Sequence, residues 1–289
     1  MKKTIALLAL AASLNVFACD EHGKTGFAPE NNLQISVGDK AANNMTEEKF
    51  LSIIERVESY YSPIVKENGG TLKINKLWTN STVNASAQRF GKTWAVNMYG
   101  GLARHNLATE DGFMLVICHE LGHHMGGAPR YDRNTDWASN EGQADYWGNL
   151  KCMRRVLEND DNISIVANME VDAVATEKCK EVYSTDSDVA LCQRIAMAGK
   201  SLGALLGSLS GNSNVNFNTP DINVVSRIND NHPKGQCRHD TYFQGALCDK
   251  SAYDNVSTED AKVGTCIQRD GYTKGVRPLC WYKPGSDEI

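Results

Sequence analysis

His119-Glu120-Leu121-Gly122-His123 stands near the end of a stretch that begins at Thr109 and closes at Met125. Residues four apart share one face of an α-helix, so a helix over Thr109 to Met125 points both imidazoles at the same spot. A pair of imidazoles so placed ligates a metal ion, and Glu120 can reach water held there and act as general base. What the site needs next is a third ligand. Eighteen residues after His123 the sequence reads Asn140-Glu141-Gly142-Gln143-Ala144-Asp145, at the predicted start of a helix running to about Leu157. Glu141 completes a His-His-Glu set that keeps one position open, the ligand pattern of a catalytic zinc. Asp145, one turn further along the same face, is positioned to accept the remaining ring N–H of a ligand histidine and so fix its tautomer.

The motif can extend through a glycine to a third histidine; Gly126 fits that pattern, but Pro129 stands at the ligand position and has no donor atom to offer. Asp132 and Asp136 are alternatives to Glu141, but both fall in an irregular loop. His124 points about 100° away from His123 on the helix. Cys118 also faces away and is expected to pack or pair. His22, His105 and His239 are given no role.

Outward from the motif, the spacing of Phe50, Ile53, Ile54, Val57, Tyr60, Tyr61 and Ile64 predicts a helix from Glu47 to about Lys66. Thr46 is its cap, Met45 and Phe50 form a hydrophobic staple, and Gly69-Gly70 ends it. Between Thr71 and Met98 the pattern changes to short extended segments, with Leu72 and Ile74 alternating, then Trp94, Val96 and Met98, and turns at Asn80-Ser81 and Gly91-Lys92. The strand ending in Met98-Tyr99-Gly100-Gly101 is expected to be an edge strand lining the cleft. There an extended substrate would add by backbone pairing, the glycines allowing close approach. Further helices are predicted near Val166 to Tyr183 and Val189 to Leu209. The fold class is α+β: a small twisted sheet packed on the motif helix.

Three separated pieces of sequence give a resemblance. Asn84-Ala85-Ser86-Ala87 followed by Tyr99-Gly100-Gly101 is the first, and His119 to His123 with Glu141 to Asp145 is the second. The third is His232-Pro233 with Arg238 six residues after the histidine. In this order (HExxH, ExxxD, HPxxxxR) the chain resembles the HtpX-like gluzincin peptidases, the group that includes the CAAX prenyl endopeptidases, over about residues 72 to 238. The resemblance implies a zincin-like metallopeptidase domain holding one Zn2+ per chain and hydrolysing peptide bonds of a protein or peptide substrate. It implies that Glu120 is catalytic and that His232 or Arg238 sits near the oxyanion, or that His232 latches the open metal position; the bland alternative is that His232-Pro233 forms only a turn. The interval from His123 to Glu141 is short and nearer that of thermolysin-like enzymes. The membrane helices of many family members and any counterpart of the Cys-rich tail are missing from the likeness. Two other functions compete: a zinc-stabilised binding or chaperone-like lipoprotein with a vestigial site, and a metal hydrolase of a cell-wall amide. The intact Glu120 argues against the first.

The composition is that of an ordinary globular protein, 41% apolar and 22% charged in 289 residues. A net charge of −5 and the lack of a basic stripe give no basis for nucleic-acid binding. Lys2 and Lys3 followed by an apolar run from Ile5 to about Val16 read as a secretory signal over residues 1–18. Ala18-Cys19 resembles a lipobox, in which Cys19 is acylated and anchors the chain to a membrane; ordinary cleavage leaving Cys19 unmodified is the alternative. Of nine cysteines, lipidation of Cys19 leaves an even number to pair outside the cytoplasm. Residues 19–44 read as a tether or flexible arm, 45–236 as the metallopeptidase domain and 237–289 as a disulfide-rich region. Cys237, Cys248, Cys266 and Cys280 would staple that region in one of three pairings. Export to the bacterial periplasm or cell envelope is the expected location.

Overall fold

The computed structural model describes residues 16–17, 26–131, 137–212 and 214–289. The fold is α+β. A two-residue strand, β1 (Val16–Phe17), precedes helix α1 (Glu47–Glu67). Thr46 caps α1 by accepting the Lys49 amide, and Phe50, Ile53, Ile54, Val57, Tyr61 and Val65 form its buried face. Strands β2 (Thr71–Leu77), β3 (Ala85–Phe90) and β4 (Thr93–Tyr99) then make a small mixed sheet. β3 and β4 are an antiparallel hairpin closed at Gly91-Lys92, and β2 lies parallel to β4 on its other side. β1 pairs antiparallel with the outer edge of β3, Val16 opposite Arg89 and Phe17 opposite Gln88.

This strand order corrects one expectation. β4 is interior, between β3 and β2, so the stretch Met98-Tyr99-Gly100-Gly101 is not an edge strand and has no free ladder to offer. Gly100 and Gly101 open a short helix, α2 (Gly100–Ala103). Their missing side chains admit the protein's own loop: a Cβ at either would stand within 2 Å of the carbonyl oxygen of Trp78 or Ser81. The outer strands of the sheet are β1 and β2.

Helix α3 (Glu110–Met125) carries the HExxH motif, with Thr109 as cap accepting the Gly112 amide, and it is buried from Gly112 to His124. Because α3 is enclosed on all sides, it is apolar all round except where the HExxH residues and His124 interrupt it. Asn140 caps α4 (Glu141–Trp147), which runs on through a π-helical stretch at Gly148–Met153 into α5 (Arg154–Leu157). The single helix expected over 166–183 is instead two, α6 (Asn162–Ala167) and α7 (Ala173–Val182). Asp172 accepts the Val174 amide as the cap of α7, and that local bond competes with helix continuation. α8 (Asp186–Leu209), capped by Thr185, packs its apolar length against α3 and α9 (Gly235–Leu247). The boundary expected at 236–237 falls inside α9, whose Tyr242, Phe243, Ala246 and Leu247 belong to the main core, so the Cys-rich tail begins after α9.

Four disulfides close the fold: Cys118–Cys152 ties α3 to the π-helical stretch, Cys179–Cys192 joins α7 to α8, and Cys237–Cys280 and Cys248–Cys266 hold the tail. Such density of bridges belongs to an oxidising compartment, extracellular or periplasmic. Cys19, and with it the expected acylation site, lies outside the described residues, as do residues 1–15 and 18 of the expected signal.

The arm expected to be loose is tied down at Gly26 to Ala28, Ile35 and Asn43, while most side chains between Glu30 and Ala41 are exposed. Phe27 and Ala28 are fully buried and Ile35 nearly so. Backbone bonds Phe27 N to Ala85 O (2.9 Å) and Ile35 N to Ser81 O (2.8 Å) tie it to the segment entering β3. Further on, Asn43 Nδ2 bonds the carbonyls of Ala103, His105 and Ala108. A polar segment becomes fixed here because its backbone amides and the Asn43 side chain find partners while Phe27, Ala28 and Ile35 reach the core.

Candidate metal centre

α3 and α4 pack together and bring His119, His123 and Glu141 to one point, with one donor atom of each within 4.8 Å of the others. All three are buried. His123 Nδ1 is 2.8 Å from the Ser139 carbonyl oxygen, which can only accept, so Nδ1 carries the proton. His119 Nδ1 likewise donates to Asp145 Oδ1 at 2.7 Å. Both rings therefore turn their Nε2 atoms inward, 3.1 Å apart. Glu141 closes the triangle, its Oε2 3.4 Å from His119 Nε2 and its Oε1 3.6 Å from His123 Nε2.

The charges follow from burial and neighbours. Burial alone would lower His119, but the Asp145 carboxylate at its Nδ1 pushes its pKa up to about 9. His123, bonded to a neutral carbonyl, is pulled down to about 4 by burial. Burial works to raise Glu141, yet His232, His123 and His119 around it hold it well below the usual carboxylate range. Asp145 is held low in the same way, by Arg238 and His119 against its own burial. Glu120 has no such support: burial pushes it up to about 8, and neither oxygen has a hydrogen-bond partner among the described residues. A metal ion must displace the second ring proton of His119, so its affinity falls as the pH is lowered.

The residues singled out in the sequence converge here with named exceptions. Arg238 is fully buried and grips Asp145 bidentately, Nε to Oδ2 at 2.6 Å and Nη2 to Oδ1 at 2.7 Å. It also lies 3.8 Å from Glu141. His232 Nε2 is 3.5 Å from Glu141 Oε1, at the half-open side of the site. Met98 to Gly101 lie in the sheet interior and beyond, and Asp132 and Asp136 fall outside the described residues. Cys118 is bridged to Cys152. His124 is sandwiched between the rings of Trp94 and Trp137. His105 and His239 are buried elsewhere, and His22 lies outside the described residues. Tyr131 joins the site as well: its hydroxyl donates to Glu141 Oε1 at 2.9 Å, a contact across a loop that no spacing rule reveals.

Glu141→Ala is expected to abolish or strongly weaken metal binding, whereas Asp145→Asn should weaken it about 10–100-fold, as loss of an orienting carboxylate does. Competition with a chromophoric chelator measures both. Wild-type affinity in Glu141→Ala would remove Glu141 from the ligand set. No protein family, curated protein or solved structure matches the chain.

Proposed function

We propose that this chain is an exported zinc metallopeptidase of the HtpX-like gluzincin kind, with a zincin-like arrangement of α3, α4 and the mixed sheet. The observation that carries the reading is the convergence of His119, His123 and Glu141 beside a buried Glu120 whose oxygens have no hydrogen-bond partner among the described residues. Ligands about 2.0–2.2 Å from a tetrahedral zinc stand roughly 3.3–3.5 Å from one another. The separations of 3.1, 3.4 and 3.6 Å, the last two to different oxygens of Glu141, lie on either side of that spacing. A zinc ion held there would polarise a carbonyl and lower the pKa of water.

The chain's own groups supply the rest. Glu120, raised by burial into the range where it exchanges protons near neutrality, takes a proton from the attacking water and passes it to the leaving amine. His232 and Arg238 are donors for the carbonyl oxygens of a bound peptide. β1 covers β3 only at Gln88 and Arg89, so an extended substrate would bond to the start of β3 at Ala85, in the place that Phe27 takes. Acylation of Cys19 is supported by the Ala18-Cys19 junction and by the pairing of the other eight cysteines among themselves. Hydrolysis of an unfolded protein is expected to disappear on chelation and to return with one equivalent of zinc per chain. Hydrolysis that survives chelation, or that acts on cell-wall amides and on no peptide, would defeat the reading.

A further inference from the structure

The packed arm ahead of α1 enters the metal centre and lies there as a bound peptide would. Phe27 N donates to Ala85 O at 2.9 Å. Ala28 N donates to Asn84 Oδ1 at 2.9 Å, and Asn84 Nδ2 returns a bond to Ala28 O at 3.2 Å. These contacts fall where the outer edge of β3 begins. The Gly26 carbonyl oxygen accepts from His232 Nε2 at 2.7 Å, the same nitrogen that faces Glu141. The Phe27 carbonyl accepts from Arg238 Nη1 at 2.5 Å. The Phe27 ring is fully buried, edge-on to His119 at 5.3 Å and beneath the Arg238 guanidinium at 4.7 Å. Position 26 has room only for glycine, because a Cβ there would stand 1.7 Å from Ala85 O.

One peptide bond is thus singled out. Its carbonyl oxygen meets a donor that abuts a metal-ligand carboxylate, its nitrogen is held by the β3 edge, and the side chain that follows is anchored against a metal-ligand ring. The geometry points to Gly26–Phe27 as a bond that this site hydrolyses in its own chain, a glycyl–aromatic peptide being its first substrate. This rests on the peptidase reading above. Water adds to the Gly26 carbonyl carbon and the bond to the Phe27 nitrogen breaks. Glu120 carries the water proton to that nitrogen, leaving a Gly26 carboxylate and a Phe27 amino group. While the arm is seated it also takes the β3 edge, His232 and Arg238 away from any other peptide, so foreign substrates enter only when it lifts.

The full chain, purified with zinc, is examined by intact mass and N-terminal sequencing as wild type, Glu120→Gln and Gly26→Ala, alongside hydrolysis of an added unfolded protein. Wild type is expected to begin at Phe27, and Glu120→Gln to retain the bond with its Phe27 amide protected from hydrogen exchange. Gly26→Ala should retain the bond and lose that protection. If wild type cleaves the added protein in a Glu120-dependent way but keeps Gly26–Phe27 intact, the self-processing inference fails and the peptidase reading survives. If it cleaves neither, both fail. A cut at Gly26–Phe27 that persists in Glu120→Gln comes from another protease and also overturns the inference.

Discussion

Glu120→Gln is expected to lower peptide hydrolysis by about 10²–10⁴-fold while leaving metal affinity and folding stability at or above wild-type levels. The two halves of that expectation have one cause. Glu120 is fully enclosed, and both its oxygens lack hydrogen-bond partners among the described residues. Burial accordingly raises its pKa to about 8. A carboxyl group in such surroundings opposes folding whenever it is charged, because its lost hydration is not replaced. Glutamine keeps the shape, removes the charge and cannot shuttle a proton. A merely structural residue would show the reverse pattern, losing stability and keeping whatever turnover the folded fraction supports. Turnover per folded molecule, metal content by competition and urea midpoint together decide the matter. Retention of more than about a tenth of wild-type turnover would strip Glu120 of its role as base, since a positioned base is worth at least about 10²-fold.

Features of the fold that depend on neighbours in sequence were legible beforehand. Thr46, Thr109 and Asn140 cap their helices because a cap needs only the amides two or three residues ahead. The convergence of His119 with His123 follows from helical spacing alone, and Glu141 with Asp145 from the next cap and turn. What escaped was non-local. Nothing in the alternation of Trp94, Val96 and Met98 says that β2 will lie parallel to β4 and shut it inside the sheet. A parallel neighbour is reached by a crossover, and strand order is set by packing of α1 and α3 on the sheet. Gly26 to Ala28 read as part of a polar tether because one phenylalanine makes no pattern. Their partners are 56 residues away at Asn84 and 211 away at Arg238, beyond any periodicity. The break before α7 was within reach, since Asp172 is a capping residue followed by a helical run.

The pairing of Arg238 with Asp145 leads to the second large effect. In metal-free protein, Arg238→Met is expected to destabilise the fold by about 3–5 kcal/mol, the usual result of stranding one member of a buried ion pair. Both side chains are at 0% exposure, and the guanidinium also holds the Phe27 carbonyl, so the loss is not screened by solvent. The pH dependence has a definite sign. In wild type, Asp145 is held below its usual range, so its contribution is present above the unfolded value of about 3.9 and is lost only as the pH drops through the depressed native value. Without Arg238 only His119 is left to oppose burial, so the native pKa of Asp145 rises, and that rise costs stability at higher pH that is regained as the pH falls. The deficit of Arg238→Met should therefore be largest near pH 7 and shrink towards about pH 4. The double variant Asp145→Leu/Arg238→Met should recover most of the stability, because the Asp145 charge is no longer stranded, while its metal affinity stays low for want of a carboxylate on His119. Urea unfolding of the three proteins across that pH range measures each term. A single variant within about 1 kcal/mol of wild type at pH 7, or a double variant no more stable than the single one, would show that the Asp145 charge is balanced by some group other than Arg238.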